Sequence, residues 1–422
     1  MNKAALLFVL LALASFSFLS CGGGGSKQLT TRVLASQSVS SPTANPGLIV
    51  INGENDTQST EISVGTSPGL MAISPQRTIV LAFDSATNNV QVVTTKRDAV
   101  NGGIQLPGPT TSMVVLASGD GYAAVPSAPL NGSPPGAVEV LNLTAGGVAA
   151  TVSVPSAQTV VSNPDGTQLL VFSNDSDNIT VVPPLLVNTG SNPITPIVVA
   201  GCAGCRPVYA VFSADGGTAY ILNCGAECAP GGAHASVQTL DMAAFALGTP
   251  IPLDGATIGW LNGSTLYVAG NSTTNSACTG QTTAATTCGR LDLVDIGSMA
   301  VIGTAVITDG YHDRIDLTSN GQLFIGSHTC TNVGNVNSPT GEVRGCLSIF
   351  NTTNATVVIP PDNGDVTGLQ SFASRYVEYV AEGGRLRVYD TTIDSLLLNS
   401  FITTGTITIT GEVVDVKAID FF

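Results

Sequence analysis

The chain after residue 26 alternates short apolar runs with polar turns. Runs rich in Val, Ile and Leu are separated by Gly, Asn, Asp, Pro and Ser, and no helical period persists. This alternation is typical of an all-β protein. The clearest stretch covers residues 157–199 and predicts four strands, which we name A to D in chain order: 157–162, 167–172, 179–182 and 196–199.

The junction between strands A and B recurs along the chain. Asp-Gly or Asn-Gly steps mark most copies, and such steps supply the positive φ angles that a tight hairpin needs. The anchors of this turn recur at intervals of 44 to 58 residues, at Arg77, Gly121, Gly166, Gly216, Gly263, Gly321 and Ser374. A period of this length with four strands in each unit predicts a β-propeller of four-stranded blades.

The two ends of the repeat region complement each other. The N-terminal part begins in the middle of a unit, with a B strand at 32–35, a C strand at 47–51 and a D strand at 60–64, and the C-terminus supplies an isolated A strand at 413–419. Together they make one shared blade, which closes the ring and leaves no open sheet edge. Seven complete units and this shared one predict eight blades; seven remain possible if one unit is divided wrongly.

One repeat carries a family resemblance. The segment Phe172-Ser-Asn-Asp-Ser-Asp-Asn-Ile-Thr-Val-Val182 resembles the Tyr-Val-Thr-Asn-type propeller repeat, which runs as strand, Asn-rich turn, strand. Tyr267-Val-Ala-Gly-Asn271 is a partial copy. The resemblance covers residues 31–422, a single propeller domain, and implies a fold more than a function, because propellers host many functions.

The first twenty residues have the pattern of a signal peptide. Lys3 is a short positive region, and the apolar run 4–19 is too short for a membrane-spanning helix. Ser20-Cys21 after this run resembles the lipobox of bacterial lipoproteins, with Phe18 where that family usually has Leu. The resemblance implies cleavage of residues 1–20 and a lipid on Cys21; ordinary secretion with a chance Cys is the alternative.

The composition of the segment after the signal peptide indicates a flexible tether. Residues 21–30 contain a Gly-rich run, and such segments are flexible coils. Because Gly22 rather than Asp follows the Cys, the lipoprotein resemblance implies the outer membrane, on its periplasmic or surface face.

Composition restricts the classes of function. A net charge of −15 and a pI near 4.3 exclude electrostatic binding to nucleic acid or to anionic lipid. Charged residues make up only 10% and hydrophobic residues 43%, which excludes intrinsic disorder. A lipid rather than charge would hold this protein on a membrane.

Eight cysteines remain once Cys21 is set aside, as expected for disulfides in an exported chain. Two predicted disulfides, Cys278–Cys288 and Cys330–Cys346, close the longest loops between strands B and C. The pairing of Cys202, Cys205, Cys224 and Cys228 stays open between local and crossed disulfides. Those four thiols could also bind zinc, and Cys202-Ala-Gly-Cys205 could be a redox pair.

Chemistry-bearing residues are sparse. The three His residues, His234, His312 and His328, are too few for a propeller that holds several metals, and no metal or cofactor is expected. The one dense polar cluster, 311–316, falls on a predicted A strand, and inner A strands line the channel of a propeller. Alternate residues of a strand share a face, so His312, Arg314 and Asp316 are predicted to lie together.

This cluster allows two interpretations. It is a candidate anion-binding or acid–base group at the channel, or an ion pair that satisfies a polar channel wall. Five other residues of predicted A strands could converge on it: Arg206, Tyr209, Trp260, Asp415 and Lys417.

The expected function is that of an envelope-anchored, monomeric lipoprotein whose propeller is a binding or scaffold module for a protein or glycan partner rather than an enzyme. The alternative comes from the family resemblance, since Tyr-Val-Thr-Asn-type propellers are similar to lactonase-like hydrolases; its site would be His312, Arg314 and Asp316. A polar channel pocket with convergent charges would favour the hydrolase, and a narrow or apolar channel the scaffold. No ligand set for a redox cofactor is visible.

Overall fold

The structure is a computed structural model, and it describes residues 29–38, 46–129, 135–173, 175–183, 196–273, 288–330, 345–360, 364–398, 404–409 and 411–420. The predicted signal peptide, Cys21 and most of the tether lie outside the described residues, as does Cys278. Thr31–Phe422 forms one compact unit.

Eight antiparallel sheets follow one another around a ring, which confirms the predicted eight-bladed propeller. Strands run outward from A to D in each blade, and strand D of blades 5 and 8 is split into two short pieces. The first three blades contain β1 (Arg32–Ser38), β2 (Gly47–Asn52) and β3 (Thr57–Ile62); β4 (Pro68–Ile73), β5 (Ile79–Asp84), β6 (Asn89–Thr94) and β7 (Ala99–Gln105); β8 (Ser112–Val115), β9 (Gly121–Val125), β10 (Ala137–Asn142) and β11 (Gly147–Ser153).

The other five blades have the same order. Blades 4 to 6 contain β12 (Ala157–Ser162), β13 (Leu169–Ser173), β14 (Asn178–Val182) and β15 (Ile197–Ala200); β16 (Pro207–Phe212), β17 (Thr218–Asn223), β18 (Ser236–Asp241), β19 (Ala246–Leu247) and β20 (Ile251–Pro252); β21 (Ile258–Asn262), β22 (Thr265–Ser272), β23 (Cys288–Asp295) and β24 (Ala300–Ile307). Blades 7 and 8 contain β25 (Tyr311–Leu317), β26 (Gln322–His328), β27 (Leu347–Asn351) and β28 (Val357–Val358); β29 (Val366–Phe372), β30 (Val377–Glu382), β31 (Arg385–Asp390), β32 (Ser395–Leu396) and β33 (Thr406–Ile407).

The last strand, β34 (Glu412–Ala418), closes the ring. It pairs antiparallel with β1, from Val33 opposite Ala418 to Ser38 opposite Glu412. It is therefore strand A of blade 1, with β1, β2 and β3 as strands B, C and D, as the sequence predicts. The hairpin turns also follow the sequence, since Gly166 and Gly216 have φ of 68° and 69°.

The core lies between blades. Strand B is buried along nearly its whole length, as in β13 and β30, whereas strand D alternates exposed and covered positions. Separate apolar clusters join neighbouring blades, and the one at the closure packs Val33 and Val416 against Tyr379 of blade 8. Sheets packed on both faces explain the low content of charged residues.

Three disulfides join cysteines of the described chain. They join Cys202 to Cys205, Cys224 to Cys228 and Cys330 to Cys346, so the four cysteines whose pairing was open are paired locally. Cys288 is also disulfide-bonded. Disulfides persist in oxidising compartments, which indicates a location outside the cytoplasm. No helix in the described part of the chain has the length and hydropathy needed to cross a bilayer.

Candidate functional site

The A strands of the blades surround a central channel, and one end of it holds a polar cavity of about 380 Å³, here called the polar chamber. Charged and aromatic side chains from blades 1, 5 and 7 reach it, and blade 4 adds an amide. Its polar lining includes Gln158, Tyr209, Tyr311, Asp313, Arg314, Asp415 and Lys417. The channel is therefore neither uniformly apolar nor filled by Ser and Thr.

A β-bulge decides which side chains of β25 face the chamber. The pairing with β26 shifts between His312 and Arg314, so Asp313 has no partner of its own. Asp313 and Arg314 consequently both line the chamber. The alternation assumed from the sequence is broken at this point, so His312 does not share a face with Arg314. Arg314 and Asp316 lie after the bulge, opposite Gly326 and Phe324, and keep the regular alternation.

His312 lies inside the blade. Its side chain is fully buried, and its Nε2 is 2.9 Å from the carbonyl oxygen of Thr308. Burial lowers the pKa of His312 to about 4, because the charged imidazolium would lose its hydration. His312 is therefore neutral near pH 7 and serves packing between blades.

Arg314 is the cation at the centre of the cluster. Its Nε donates to the carbonyl of Thr367 (2.6 Å), and its Nη1 donates to the carbonyl of Asp313 (2.9 Å) and lies 2.9 Å from the carboxylate of Asp313. No described residue accepts a hydrogen bond from Nη2. The guanidinium is thus held in position with one nitrogen left for a ligand.

His328 joins this cluster from the neighbouring strand. Its Nε2 lies 2.9 Å from Oδ1 of Asp313, and its Nδ1 lies 3.9 Å from Asp365. The hairpin register places His328 opposite Tyr311. Nothing in the sequence pattern indicated that His328 would lie beside Asp313, and His328 is itself absent from the lining of the polar chamber. Counting residues back from the turn at Asn320-Gly321 would have brought it beside Tyr311.

Lys417 and Asp415 form a second ion pair on β34. Nζ of Lys417 lies 2.8 Å from Oδ1 of Asp415, whose carboxylate also accepts the main-chain N–H groups of Met71 and Val416. Asp415 is only 2% exposed and is saturated, so Lys417 is the member of the pair that a ligand can contact. Of the other sequence candidates, Arg206 lies near Asp177 (3.9 Å) and is absent from the lining of the chamber.

A buried carboxyl group, that of Glu227, lies within electrostatic reach of Tyr311 in the lining of the polar chamber. Glu227 ends a 3-10 turn (Gly225–Glu227) between the bonded cysteines 224 and 228. Neither of its carboxylate oxygens has a described hydrogen-bond partner of normal geometry. Burial raises the pKa of Glu227 to about 8, and its carboxylate acts electrostatically on Tyr311. Nothing in the local sequence distinguishes Glu227, since its burial comes from packing against blade 6.

Asp316 lies on β25 beside a second carboxyl group, that of Glu378. It accepts the main-chain N–H groups of Leu317 (2.9 Å) and Ser371 (2.6 Å). Glu378 on β30 is fully buried, and neither of its oxygens has a hydrogen-bond partner of normal geometry among the described residues. Burial raises the pKa of Glu378 well above its usual range, and the charge of Asp316 raises it further. The carboxyl group of Asp316, which is only partly buried, therefore interacts with that of Glu378, and Asp316 is absent from the lining of the polar chamber.

Replacing Glu378 with glutamine should change how stability depends on pH. A carboxyl group whose pKa is raised by folding stabilises the protein most below its unfolded pKa, and this stability is lost as pH rises towards the folded pKa. The loss has a limiting slope of about 1.4 kcal/mol per pH unit for one proton. Urea denaturation from about pH 5 to about pH 8 should therefore show that the free energy of unfolding of Glu378→Gln increases relative to that of the wild type as pH rises.

Glu412→Gln is the control for this experiment, because Glu412 is an exposed residue on β34. Its stability curve should run parallel to that of the wild type. A parallel curve for Glu378→Gln would contradict the raised pKa.

Comparison with known proteins supports the fold. Dihydro-heme d1 dehydrogenase NirN, solved in complex with DHE, matches with a TM-score of 0.64 at 12% identity over 93% of this chain and 75% of that one. A putative 6-phosphogluconolactonase from Bacteroides fragilis matches with a TM-score of 0.56 at 12% identity over 94% and 99%. Another from Bacteroides uniformis matches with a TM-score of 0.51 at 12% identity over 92% and 99%. No protein-family model and no curated protein matches the sequence.

Proposed function

We propose that this protein is an exported binding protein whose polar chamber holds a small, neutral, hydroxylated ligand of the sugar class. The observation that carries the proposal is the convergence of Arg314, Asp313 and Lys417 from two different blades on one cavity. Its volume of about 380 Å³ falls within the range of small-molecule sites.

The charges in the chamber favour a neutral ligand. Arg314 lies against Asp313, and Lys417 lies against Asp415, so the two cations are matched by two carboxylates. The whole chain carries a net charge of −15, which disfavours the approach of an anion. A hydroxyl group both donates and accepts hydrogen bonds, and can therefore satisfy a carboxylate and a guanidinium side by side.

The cell envelope is the proposed location. The disulfides support an oxidising compartment, and the lipobox-like Ser20-Cys21 supports a lipid anchor at the outer membrane. The glycan partner expected from the sequence is compatible with this site if a terminal sugar enters the chamber.

Hydrolysis of a sugar lactone is the second candidate function. His328 and Asp313 are 2.9 Å apart beside Arg314, which is the arrangement of a base, its orienting carboxylate and a cation for a developing oxyanion. Water would attack the lactone carbonyl and pass a proton to His328; the bond between the carbonyl carbon and the ring oxygen would then break, and His328 would return the proton to the ring oxygen, which leaves as a hydroxyl group. The two structural neighbours described as putative lactonases support this candidate.

Calorimetric titration with neutral monosaccharides tests the main proposal. We expect binding by the wild type and a loss of about 10- to 100-fold in affinity in Arg314→Ala, since a hydrogen bond from a charged group is removed. Arg385→Ala is the control, because Arg385 is exposed on β31 of blade 8. Gluconate should bind more weakly than the neutral sugars.

A failure of every sugar to bind, or equal binding by Arg314→Ala, would overturn the assignment. The same proteins incubated with gluconolactone separate the two functions. If the wild type releases acid faster than the spontaneous rate, and both Arg314→Ala and His328→Ala lose this activity, the protein hydrolyses lactones and is not only a sugar-binding protein.

A further inference from the structure

The opposite end of the channel holds a second cavity of about 590 Å³, here called the apolar chamber. Residues from the last part of several A strands line it, close to the turns between strands A and B. Its main apolar lining is Val114, Val161, Val211, Phe212, Trp260 and Leu261. Three residues, Val114, Val161 and Tyr209, line both chambers, so the two cavities share a wall.

Tyr209 lies at the boundary between the chambers. Its ring packs against the apolar clusters of blades 5 to 7, and its hydroxyl lies within electrostatic reach of Arg314. The side chain therefore presents an apolar surface towards one chamber and a polar atom towards the other. The channel changes from polar to apolar along its length at this residue.

The apolar chamber is poorly suited to ordered water. A bound water needs two to four polar partners. Among the described residues that line this chamber, the side-chain polar groups are the hydroxyls of Ser162 and Tyr209 and the indole N–H of Trp260. An apolar group entering the chamber would displace weakly held water, which is a favourable exchange.

We propose that the ligand of this protein is amphipathic, with a hydroxylated head in the polar chamber and an apolar chain in the apolar chamber. This proposal rests on the proposed function, because the head group is the sugar-class ligand placed beside Arg314. It adds the apolar half of the ligand. The two chambers share a wall at Tyr209, so this apolar chain lies next to the hydroxylated head. The chemical class is that of an alkyl glycoside or a short glycolipid.

Trp260 makes the apolar chamber directly observable. It is the sole Trp in the chain, so intrinsic tryptophan fluorescence reports on this chamber and on no other site. A chain that replaces water around the indole should shift its emission to shorter wavelength. A ligand that occupies the polar chamber alone should leave the emission nearly unchanged.

The test is a titration of the purified full chain with methyl, butyl, hexyl and octyl glucoside, each below the concentration at which it forms micelles. Affinity should rise by about fourfold for each methylene group that enters the chamber. The shift of Trp260 emission should grow along the series. Methyl glucoside reports on the head group alone and so tests the proposed function separately.

Ala214→Phe tests the location of the chain. Ala214 is exposed at the outer end of the apolar chamber, so a larger side chain there obstructs the cavity without entering the core. The variant should bind methyl glucoside like the wild type and lose the gain with chain length. Ala149→Phe is the matched control, since Ala149 is exposed on strand D of blade 3, and it should keep that gain.

Three results would overturn the proposal. If methyl glucoside binds and longer chains bring no gain, only the apolar half of the ligand is wrong and the proposed function stands. A gain that survives in Ala214→Phe would place the chain elsewhere. If no glucoside binds, the head-group site and the amphipathic ligand fail together.

Discussion

Replacing Arg32 with alanine should lower the free energy of unfolding by about 3 kcal/mol. Arg32 lies on β1, and its side chain is only 8% exposed. Its guanidinium donates to Asp420 at the C-terminus (2.7 and 2.9 Å), to Asp98 of blade 2 (2.6 Å) and to the carbonyl of Thr95 (2.7 Å). One side chain therefore joins β1 to the segment that follows β34 and to the next blade.

The expected loss comes from the partners that remain. Removing one member of a buried ion pair leaves the other without compensation, at a cost of about 3–5 kcal/mol. Asp98 and Asp420 are 27% and 18% exposed, so water can partly rehydrate them and the lower end of that range applies. Urea denaturation followed by circular dichroism measures the change. Arg97→Ala is the control, because Arg97 is exposed one residue from Asp98, and it should stay within about 0.5 kcal/mol of the wild type.

An Arg32→Ala variant as stable as Arg97→Ala would show that the contacts of Arg32 with Asp98 and Asp420 do not stabilise the closure of the ring. The paired strands β1 and β34 would then hold the closure without this ionic contact.

Replacing Asp56 with alanine should cost about 3–5 kcal/mol, the largest effect that we expect from a single polar side chain. The side chain of Asp56 is fully buried in the turn between β2 and β3. Both of its oxygens accept from Arg375 of blade 8 (2.8 and 2.7 Å), and it also accepts the hydroxyl of the buried Tyr379. The substitution would leave a guanidinium and a phenol without their acceptor inside the interface.

Thermal and urea unfolding of Asp56→Ala can be compared with Glu61→Ala, which removes an exposed carboxylate from strand D of the same blade. We expect the control to stay within about 0.5 kcal/mol of the wild type. Equal stability of the two variants would show that Asp56 and Arg375 are only neighbours. Arg32 and Asp56 both lie in blade 1, the one blade assembled from two distant parts of the chain.

The candidate site could be predicted from the sequence only in part. Arg314 was placed correctly at the channel, because the position of β25 follows from the repeat. His312 and Asp316 were expected beside it because a regular strand alternates its faces. The bulge at Asp313 adds one residue to the strand, which turns His312 into the blade and brings Asp313 to the chamber.

Contacts between distant segments were beyond the sequence pattern altogether. His328 meets Asp313 across a hairpin, Lys417 enters from the C-terminal strand, and Glu227 is buried because its turn packs against blade 6. Each of these positions looks like an ordinary polar residue in its own segment. Their environments arise only when the ring is closed.

The sequence by itself determined the repeat of four-stranded blades and the shared closing blade, and its repeat count favoured the eight blades that the structure confirms. Each of these follows from local rules: apolar runs form strands, Asp-Gly and Asn-Gly steps form tight turns, and a fixed period stacks like units. Only the tertiary structure decided the local disulfide pairing, the residues that face the channel and the division of that channel into a polar and an apolar chamber. Those features depend on bulges, register and packing between blades, and a single side chain such as Tyr209 or Asp313 acquires its role from neighbours far away in the chain.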